Sequence, residues 1–389
     1  MKYKLSEICN IINGYAFKSS EYVDKGIRII RITNVQKGFI DDTSPQYYPV
    51  ERENEIIPYM LKEDDLLISL TGNVGRVGLL TSELLPAALN QRVACLRIKD
   101  ISKIKKKYLF YALNNILFED RCIFSAKGIA QKNMSTAWLG AYEIHVPSMT
   151  AQSYICEVLS RVDELLSLHN KQLLLLEKLI KSRFVELFGD PVTNPMKWKV
   201  KSLSELGDCK NGMNFHKGES GIDIHCLGVG DFQNLSVITD TSVLPIVSLN
   251  ENPSEEYMLQ DGDIVFVRSN GNKNLVGRCL TIYPHDIPTT FSGFCIRYRI
   301  SNTDKVLTEY LLQVLKHESM RQKMTGRGAN IQNLNQQILS ALQIPLPPID
   351  LQRQFIEFVE LTDKSKLAVQ QSIETLQTLK AKLMQDYFG

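Results

Sequence analysis

Two strings of the chain concentrate side chains that can read the edge of a nucleic-acid base. The first runs Ser69, Leu70, Thr71, Gly72, Asn73, Val74, Gly75, Arg76; the second runs Arg268, Ser269, Asn270, Gly271, Asn272, Lys273, Asn274, Leu275, Val276, Gly277, Arg278. Asn and Arg carry the paired donors and acceptors that match adenine and guanine in the major groove, and glycine lets the backbone approach closely. A second polar string follows each: Lys127, Gly128, Ile129, Ala130, Gln131, Lys132, Asn133, and then Arg327, Gly328, Ala329, Asn330, Ile331, Gln332, Asn333. The expected DNA contacts in the first half are Lys18, Thr71, Asn73, Arg76, Arg92, Lys127, Gln131, Lys132 and Asn133. In the second half they are Lys217, Arg268, Ser269, Asn270, Asn272, Lys273, Arg278, Arg327, Asn330, Gln332 and Asn333. Asn-Gly is also an ordinary hairpin turn, so the strings alone leave a reading loop and a plain connector both open.

Motifs that perform a reaction are missing. Gly228-Val229-Gly230 lacks a third glycine at Gln233 and is expected to open no helix, which argues against a phosphate cradle. There is no GxxxxGK[ST] loop, and the six histidines form neither HExxH nor a deaminase pattern. Asn194-Pro195-Met196-Lys197 lacks the second proline and the aromatic that would sandwich a flipped base. Asp65 and Asp263 each precede an apolar run, a place where Asp serves a turn. The eight cysteines are scattered without a CxxC pair, and read as reduced thiols filling the core. The sequence therefore predicts no catalytic residue, no metal site and no cofactor bound by this chain.

Charge and composition narrow the class further. With 45 Lys and Arg against 43 Asp and Glu, the net charge is only +2, so any DNA binding rests on local patches rather than on a basic field. At 44% hydrophobic and 23% charged residues the chain is globular rather than disordered. No stretch approaches the roughly 18 apolar residues of a membrane span, and the start lacks a signal-peptide core. The expectation is a soluble, unprocessed cytoplasmic protein with no membrane partner.

The elements that must position these strings come as a long internal repeat. Residues 5–17 match 203–215 at an offset of 198, with Leu-Ser-Glu, Asn-Gly and Phe identical, six of thirteen positions. Arg97-Ile98 and Tyr108-Leu109 match Arg299-Ile300 and Tyr310-Leu311 at 202. At 200 the match resumes through Pro147/Pro347, Gln152/Gln352, Asp163/Asp363 and Phe188-Gly189/Phe388-Gly389. A unit this long carries its own core and is no solenoid repeat, so the chain imitates a homodimer with internal pseudo-twofold symmetry.

Within each copy, short β-branched and aromatic runs such as Ile27–Val35, Leu66–Leu70 and Val93–Ile98 read as strands. Each copy adds one short helix, at Lys105–Phe118 and Lys305–Lys316, before a purely helical end. There Ile155, Leu159, Val162, Leu166, His169, Leu173, Leu176 and Ile180 alternate at four and three, a heptad seam in which His169 is the polar member that sets register. The partner seam is Phe355, Val359, Val369, Ile373, Leu376, Leu383 and Tyr387. The two helices are expected to pack antiparallel with the β-rich units at opposite ends; the first alone spans about 57 Å. Gly189-Asp190-Pro191 ends the first helix, and Val192–Pro195 is expected to be a linker. The fold class is thus α+β, two β-rich domains in tandem repeat separated by two long coiled-coil-like helices: 1–147, 148–189, 190–347 and 348–389.

Taken together, these features resemble the specificity subunit of Type I restriction-modification systems over essentially the whole chain. The most specific part is the junction Glu186-Leu187-Phe188-Gly189-Asp190-Pro191-Val192-Thr193-Asn194-Pro195 with Trp198. The Leu-Ser-Glu openings, Gly72-Asn73-Val74-Gly75, Arg268-Ser269-Asn270-Gly271 and the Ile-Pro-Leu-Pro-Pro segment ending at Pro348 carry the rest. The resemblance implies two target-recognition domains that each read one half of an asymmetric, bipartite double-stranded DNA site. It implies two methyltransferase subunits that bring S-adenosylmethionine, and restriction and translocase subunits that bring ATP and Mg. The runner-up reading is a non-enzymatic pseudo-dimeric scaffold whose β-rich ends bind proteins or sugars.

Overall fold

Leu66, Leu67 and Ile68 leave no alternate position for solvent, which asks for a strand covered on both faces. The computed structural model describes residues 1–126, 133–216, 218–232, 236–325 and 333–389. It divides into two compact units, Met1–Asn170 with Gln371–Gly389, and Lys171–Gln370. The division falls inside the long helices, so each unit owns one β-rich block and a piece of both helices.

In the first unit the strands are β1 (Lys2–Lys4), β2 (Cys9–Asn13), β3 (Ile27–Ile30), β4 (Tyr47–Tyr48), β5 (Leu66–Ser69), β6 (Val77–Leu79), β7 (Ala87–Leu89), β8 (Val93–Ile98) and β9 (Glu143–His145). They form an antiparallel sheet in the order β2-β8-β5-β6, a smaller sheet β4-β3-β7 and the pair β1-β9. All four residues of β5 are buried. Leu66 and Ile68 join Ala94 and Leu96 in a core shared with Tyr108 and Leu109; Leu67 joins Val93, Cys95, Ile30 and Leu89 in a second core against the smaller sheet. The period of two along the strand sends alternate side chains into different cores.

The second unit repeats the plan with β10 (Lys199–Ser202), β11 (Gly207–Asn211), β12 (Ile222–Leu227), β13 (Val237–Ile238), β14 (Ile246–Leu249), β15 (Asp263–Val267), β16 (Cys279–Ile282), β17 (Thr289–Phe291), β18 (Cys295–Ile300) and β19 (Gln343–Leu346). The sheets are β11-β18-β15-β16-β13, β14-β12-β17 and β10-β19. Ile264 and Phe266 face the helical core, while Val265 and Val267 face the core shared with Leu227 and Phe291.

The single short helix expected in each copy is two. In the first copy Lys106–Leu113 stops and Ile116–Ser125 starts anew, because the Asn115 carboxamide accepts the Phe118 N–H at 2.9 Å and donates to the Ala112 carbonyl at 2.7 Å. An Asn that binds the backbone on both sides competes with helix continuation. The second copy likewise divides into Thr308–Lys316 and Glu318–Thr325.

The heptad seam is read correctly. The long helices are Met149–Phe188 and Ile349–Phe388. Leu159, Val162, Ile180, Val369 and Ile373 are buried, and Leu166, His169, Leu173, Leu176, Leu376 and Leu383 are half-buried, whereas Leu168 and Leu175 off the seam are exposed. Within the first unit Lys380 Nζ meets Asp163 Oδ1 at 2.6 Å and Tyr387 lies beside Tyr154, so the segments run antiparallel. Within the second unit the Phe355 ring packs on Phe184 and Phe188, with centroids at 5.6 and 5.4 Å, and Arg183 covers Phe358. The His169 Nδ1 atom is buried with no hydrogen-bond partner.

The segment expected to be a linker is a folded corner. Asp190 Oδ1 accepts the N–H groups of Val192 and Thr193 at 2.8 and 3.0 Å. Asn194, at φ 46°, accepts the Trp198 N–H at 3.0 Å and donates to its carbonyl at 2.8 Å. Gly189 has φ +74°, and a Cβ there would enter the Pro195 ring. Asx turns give this Pro- and Asn-rich stretch fixed hydrogen bonds that composition alone does not reveal.

One fully buried glutamine per copy ties the long helix to its β-rich block. Gln152 Nε2 donates to the Lys103 and Pro147 carbonyls, both at 2.9 Å, and its Oε1 accepts the Lys105 N–H at 2.8 Å. Gln352 does the same with Lys305, Pro347 and Leu307, at 3.1, 3.0 and 3.0 Å. Gln152→Leu keeps the volume but strands one N–H and two carbonyls, and is expected to cost the first unit about 2–4 kcal/mol in chemical denaturation. Burial pushes the Cys9, Cys122 and Cys226 thiols up to about 12. They therefore stay protonated at pH 8, and a thiol reagent is expected to label them only after denaturant unfolds the chain.

Candidate nucleic-acid interface

The polar turn of the first copy hangs from the end of β5. Ser69, fully buried, closes it: its Oγ accepts the Arg76 N–H at 3.0 Å and donates to the Asn73 carbonyl. Its backbone N–H donates to the Arg76 carbonyl and its carbonyl accepts the Gly75 N–H, both at 3.0 Å. Gly75, at φ +85°, is required twice over, since a Cβ would stand 2.7 Å from Cys122 Cβ on the helix Ile116–Ser125. The next described residue after that helix and Ala126 is Asn133, which bridges to Thr71 in antiparallel fashion, with the Met134 N–H on the Leu70 carbonyl at 2.8 Å. The Leu70 N–H in turn donates to the Arg92 carbonyl at 3.0 Å, which brings the β7–β8 turn alongside.

The second copy is built the same way. Ser269 bridges Asn333, the Leu334 N–H donates to the Arg268 carbonyl at 2.8 Å, and the Arg268 N–H donates to the Phe294 carbonyl at 2.8 Å. Gly277, at φ +76°, donates its N–H to the Val267 carbonyl at 2.9 Å. Inside the turn the Asn270 Oδ1 accepts the Asn272 N–H at 2.7 Å, and the Asn272 Oδ1 accepts the Asn274 N–H at 3.1 Å. These carboxamides shape their own loop through their oxygens. Arg268 Nη1 reaches the Gly293 carbonyl at 3.2 Å. Val229, Ser269, Asn270, Gly271, Phe294 and Asn333 line a hollow of about 470 Å³.

Of the residues expected to contact DNA, Thr71, Asn73, Arg92 and Asn133 meet in the first unit, and Arg268, Ser269, Asn270, Asn272 and Asn333 meet in the second. Asn73, Arg92, Asn133, Asn272 and Asn333 are exposed. Arg76 folds back to bond Gln36 Oε1, and the Thr71 Oγ1 is buried without a partner. Lys18 is exposed on a separate turn at the start of Ser19–Glu21. Arg278 is half-buried at the far end of its turn. Lys127, Gln131, Lys132, Lys217, Arg327, Asn330 and Gln332 lie outside the described residues, as does the side chain of Lys273. Val229–Phe232 forms a short 3-10 turn where no helix was expected, and the Asp231 carboxylate accepts the Gly228 N–H at 2.8 Å, a fixed negative charge that disfavours a phosphate there.

Two features were missed in the sequence. Asp65 and Asp263 do serve turns, accepting the Lys62 and Gln260 N–H groups at 2.8 Å, but each also holds an arginine through two bonds. Arg97 meets Asp65 at 2.9 and 2.7 Å, and Arg299 meets Asp263 at 2.8 and 2.7 Å. The signal was present, because both members recur in the repeat. The other is Phe294, an exposed apolar side chain among polar neighbours, which residue type alone assigns to the core.

Ser69→Ala removes the buried hydroxyl that clamps the first turn. It is expected to cost about 1–2 kcal/mol and to speed amide exchange at Arg76, measured by NMR or mass spectrometry.

Comparison with known proteins follows the same repeat. A family model described as the Type I restriction modification DNA specificity domain matches residues 1–178 and again 195–378. The chain is similar to the Type I restriction enzyme StySPI specificity subunit of Salmonella potsdam, 22% identical over 382 residues, which covers 92% of this chain and 80% of the relative. Similarity to the EcoKI specificity subunit of Escherichia coli strain K12 is 23% over 389 residues, with coverage of 92% and 80%. Among solved structures, the Type I S subunit from M. genitalium aligns with a TM-score of 0.55 at 16% identity, over 100% of this chain and 96% of that one. A chain from a study of complex assembly and conformational transition in the type I R-M system aligns at 0.62 and 15% identity, over 100% and 97%. At these identities the structural likeness is one of fold.

Proposed function

This chain belongs to the Type I restriction modification DNA specificity family, and from that premise we propose that it reads an asymmetric, bipartite DNA site, one half with each copy. The observation that carries the reading is the recurrence of one construction. In both copies a polar turn leaves a doubly buried strand and is bridged to an Asn, Thr71 to Asn133 and Ser269 to Asn333. The scaffold is shared while the exposed side chains differ, so the two half-sites differ in sequence. Base edges are read by the turn residues, and phosphate contacts, which add affinity without sequence information, come mainly from partner subunits. That division suits a net charge of +2.

The chain is a non-catalytic subunit in this reading. Two methyltransferase subunits bring S-adenosylmethionine, and restriction and translocase subunits bring ATP and Mg. The methyltransferases dock on the long helices, where Leu165, Leu168, Leu175, Leu179, Leu361 and Leu367 are exposed. Among the described residues no helix is long and apolar enough to cross a membrane.

Co-expression with the cognate methyltransferase subunit in a methylation-free host, followed by mapping of modified adenines, tests the proposal. A split, asymmetric motif is the expected result; a stable complex without new methylation would favour the scaffold reading. Inserting one or two helical turns between Leu165 and Leu176 is expected to change the unspecified spacer by about one to three base pairs and leave both half-sites intact. Asn270→Ala with Asn272→Ala is expected to relax the second half-site alone, read from the same methylation maps.

A further inference from the structure

The second copy holds an exposed aromatic ring in the middle of its polar surface. Phe294 sits on the turn between β17 and β18 and is 61% exposed. Its backbone is fixed on every side. Its carbonyl accepts the Arg268 N–H at 2.8 Å and its N–H donates to Ser292 Oγ at 3.3 Å. Next to it the Gly293 N–H holds the Met213 carbonyl at 2.7 Å and the Cys295 N–H holds the Ser292 carbonyl at 2.8 Å. The ring is thus presented on a rigid turn at the rim of the hollow that Ser269, Asn270 and Asn333 also line. A rigid exposed aromatic loses little conformational freedom when a partner closes over it and gains the full benefit of burial.

The first copy carries a different side chain at this position. The bond from the Leu70 N–H to the Arg92 carbonyl is the counterpart of that from Arg268 to Phe294, so Arg92 and Phe294 occupy equivalent places on equivalent turns. Both side chains are exposed. Arginine at such a place offers the donor pair that matches guanine. A phenyl ring offers no donor, and its complement on a major-groove edge is the 5-methyl group of thymine.

We infer that Phe294 is a specificity-determining residue that packs on the 5-methyl group of a thymine in the half-site read by the second copy. The inference rests on the DNA-reading function proposed above. Its test uses the complex with the methyltransferase subunits and a series of bipartite duplexes in which each thymine in turn is replaced by deoxyuridine, which deletes only the methyl. One thymine of the second half-site is expected to show roughly fourfold weaker binding on replacement, the worth of one buried methyl group. Phe294→Ala is expected to abolish that difference at that position while the first half-site is read as before, and Phe294→Leu is expected to retain part of it. A Phe294→Ala complex that still separates thymine from uracil as the wild type does, or a second half-site in which no thymine responds, overturns the assignment of Phe294. A wild-type complex that binds no bipartite duplex overturns the DNA-reading function itself, and the inference with it.

Discussion

A strand with no solvent face governs each unit. β5 and β15 are buried throughout, with alternate side chains committed to a helical core on one side and to a second small sheet on the other. A slip of one residue would exchange the two sets, placing Ile68 where Leu67 belongs, so the register is strongly specified. The polar turn emerges from the end of this strand and inherits its precision. At the strand's beginning Asp65 and Asp263 add a second constraint. Each buried carboxylate is held by two arginine bonds and one backbone N–H, and each arginine also reaches a carbonyl, Met60 or Met258, at 2.8 and 2.9 Å. A carboxylate removed from water in this way is tolerable only because its oxygens are fully employed, and the bidentate geometry pins β5 to β8 and β15 to β18.

In each copy a buried glutamine couples the long helix to this frame. Gln152 and Gln352 are fully buried and each bonds three backbone groups, two on the loop before the first short helix and one at the proline segment. Because the amide is fully buried, away from bulk solvent, these bonds resist rotation between the helix start and the β-rich block. The aromatic cluster of Phe184, Phe188, Tyr310 and Phe355 does comparable work in the second unit, and in the first Phe388 packs against Tyr108. Each unit therefore joins a polar turn to a helical piece through a continuous, well-packed core, and a turn carried on such a frame is held in one geometry.

Much of the architecture is legible in the chain. The offsets of 198, 202 and 200 between copies reappear as β2 with β11, β8 with β18, and Met149–Phe188 with Ile349–Phe388. The heptad seam marks the buried helix face down to the half-buried His169. What misled was local chemistry with two outcomes. Asn115 has the composition of a helix interior that continues, yet its side chain caps a new helix; Asn194 and Asp190 have the composition of a loose connector, yet their side chains close a fixed corner. Such side-chain-to-backbone bonds depend on dihedral choices that residue type only biases.

Periodicity and self-similarity belong to the sequence itself, and they suffice for the repeat, the helical seam and the polar turns, because the spacing of apolar residues states which face is buried. Which residues of a turn face outward belongs to the tertiary structure. Arg76 is drawn back by Gln36, forty positions away, and the bridges from Thr71 to Asn133 and Ser269 to Asn333 join segments more than sixty residues apart. Phe294 is apolar by type, yet it stands in solvent because it lies in the turn before β18, where its backbone is held by Arg268 and Ser292 and its side chain belongs to neither core. These outcomes are set by strand order and helix placement, which act through contacts distant in the chain and leave no mark on local composition.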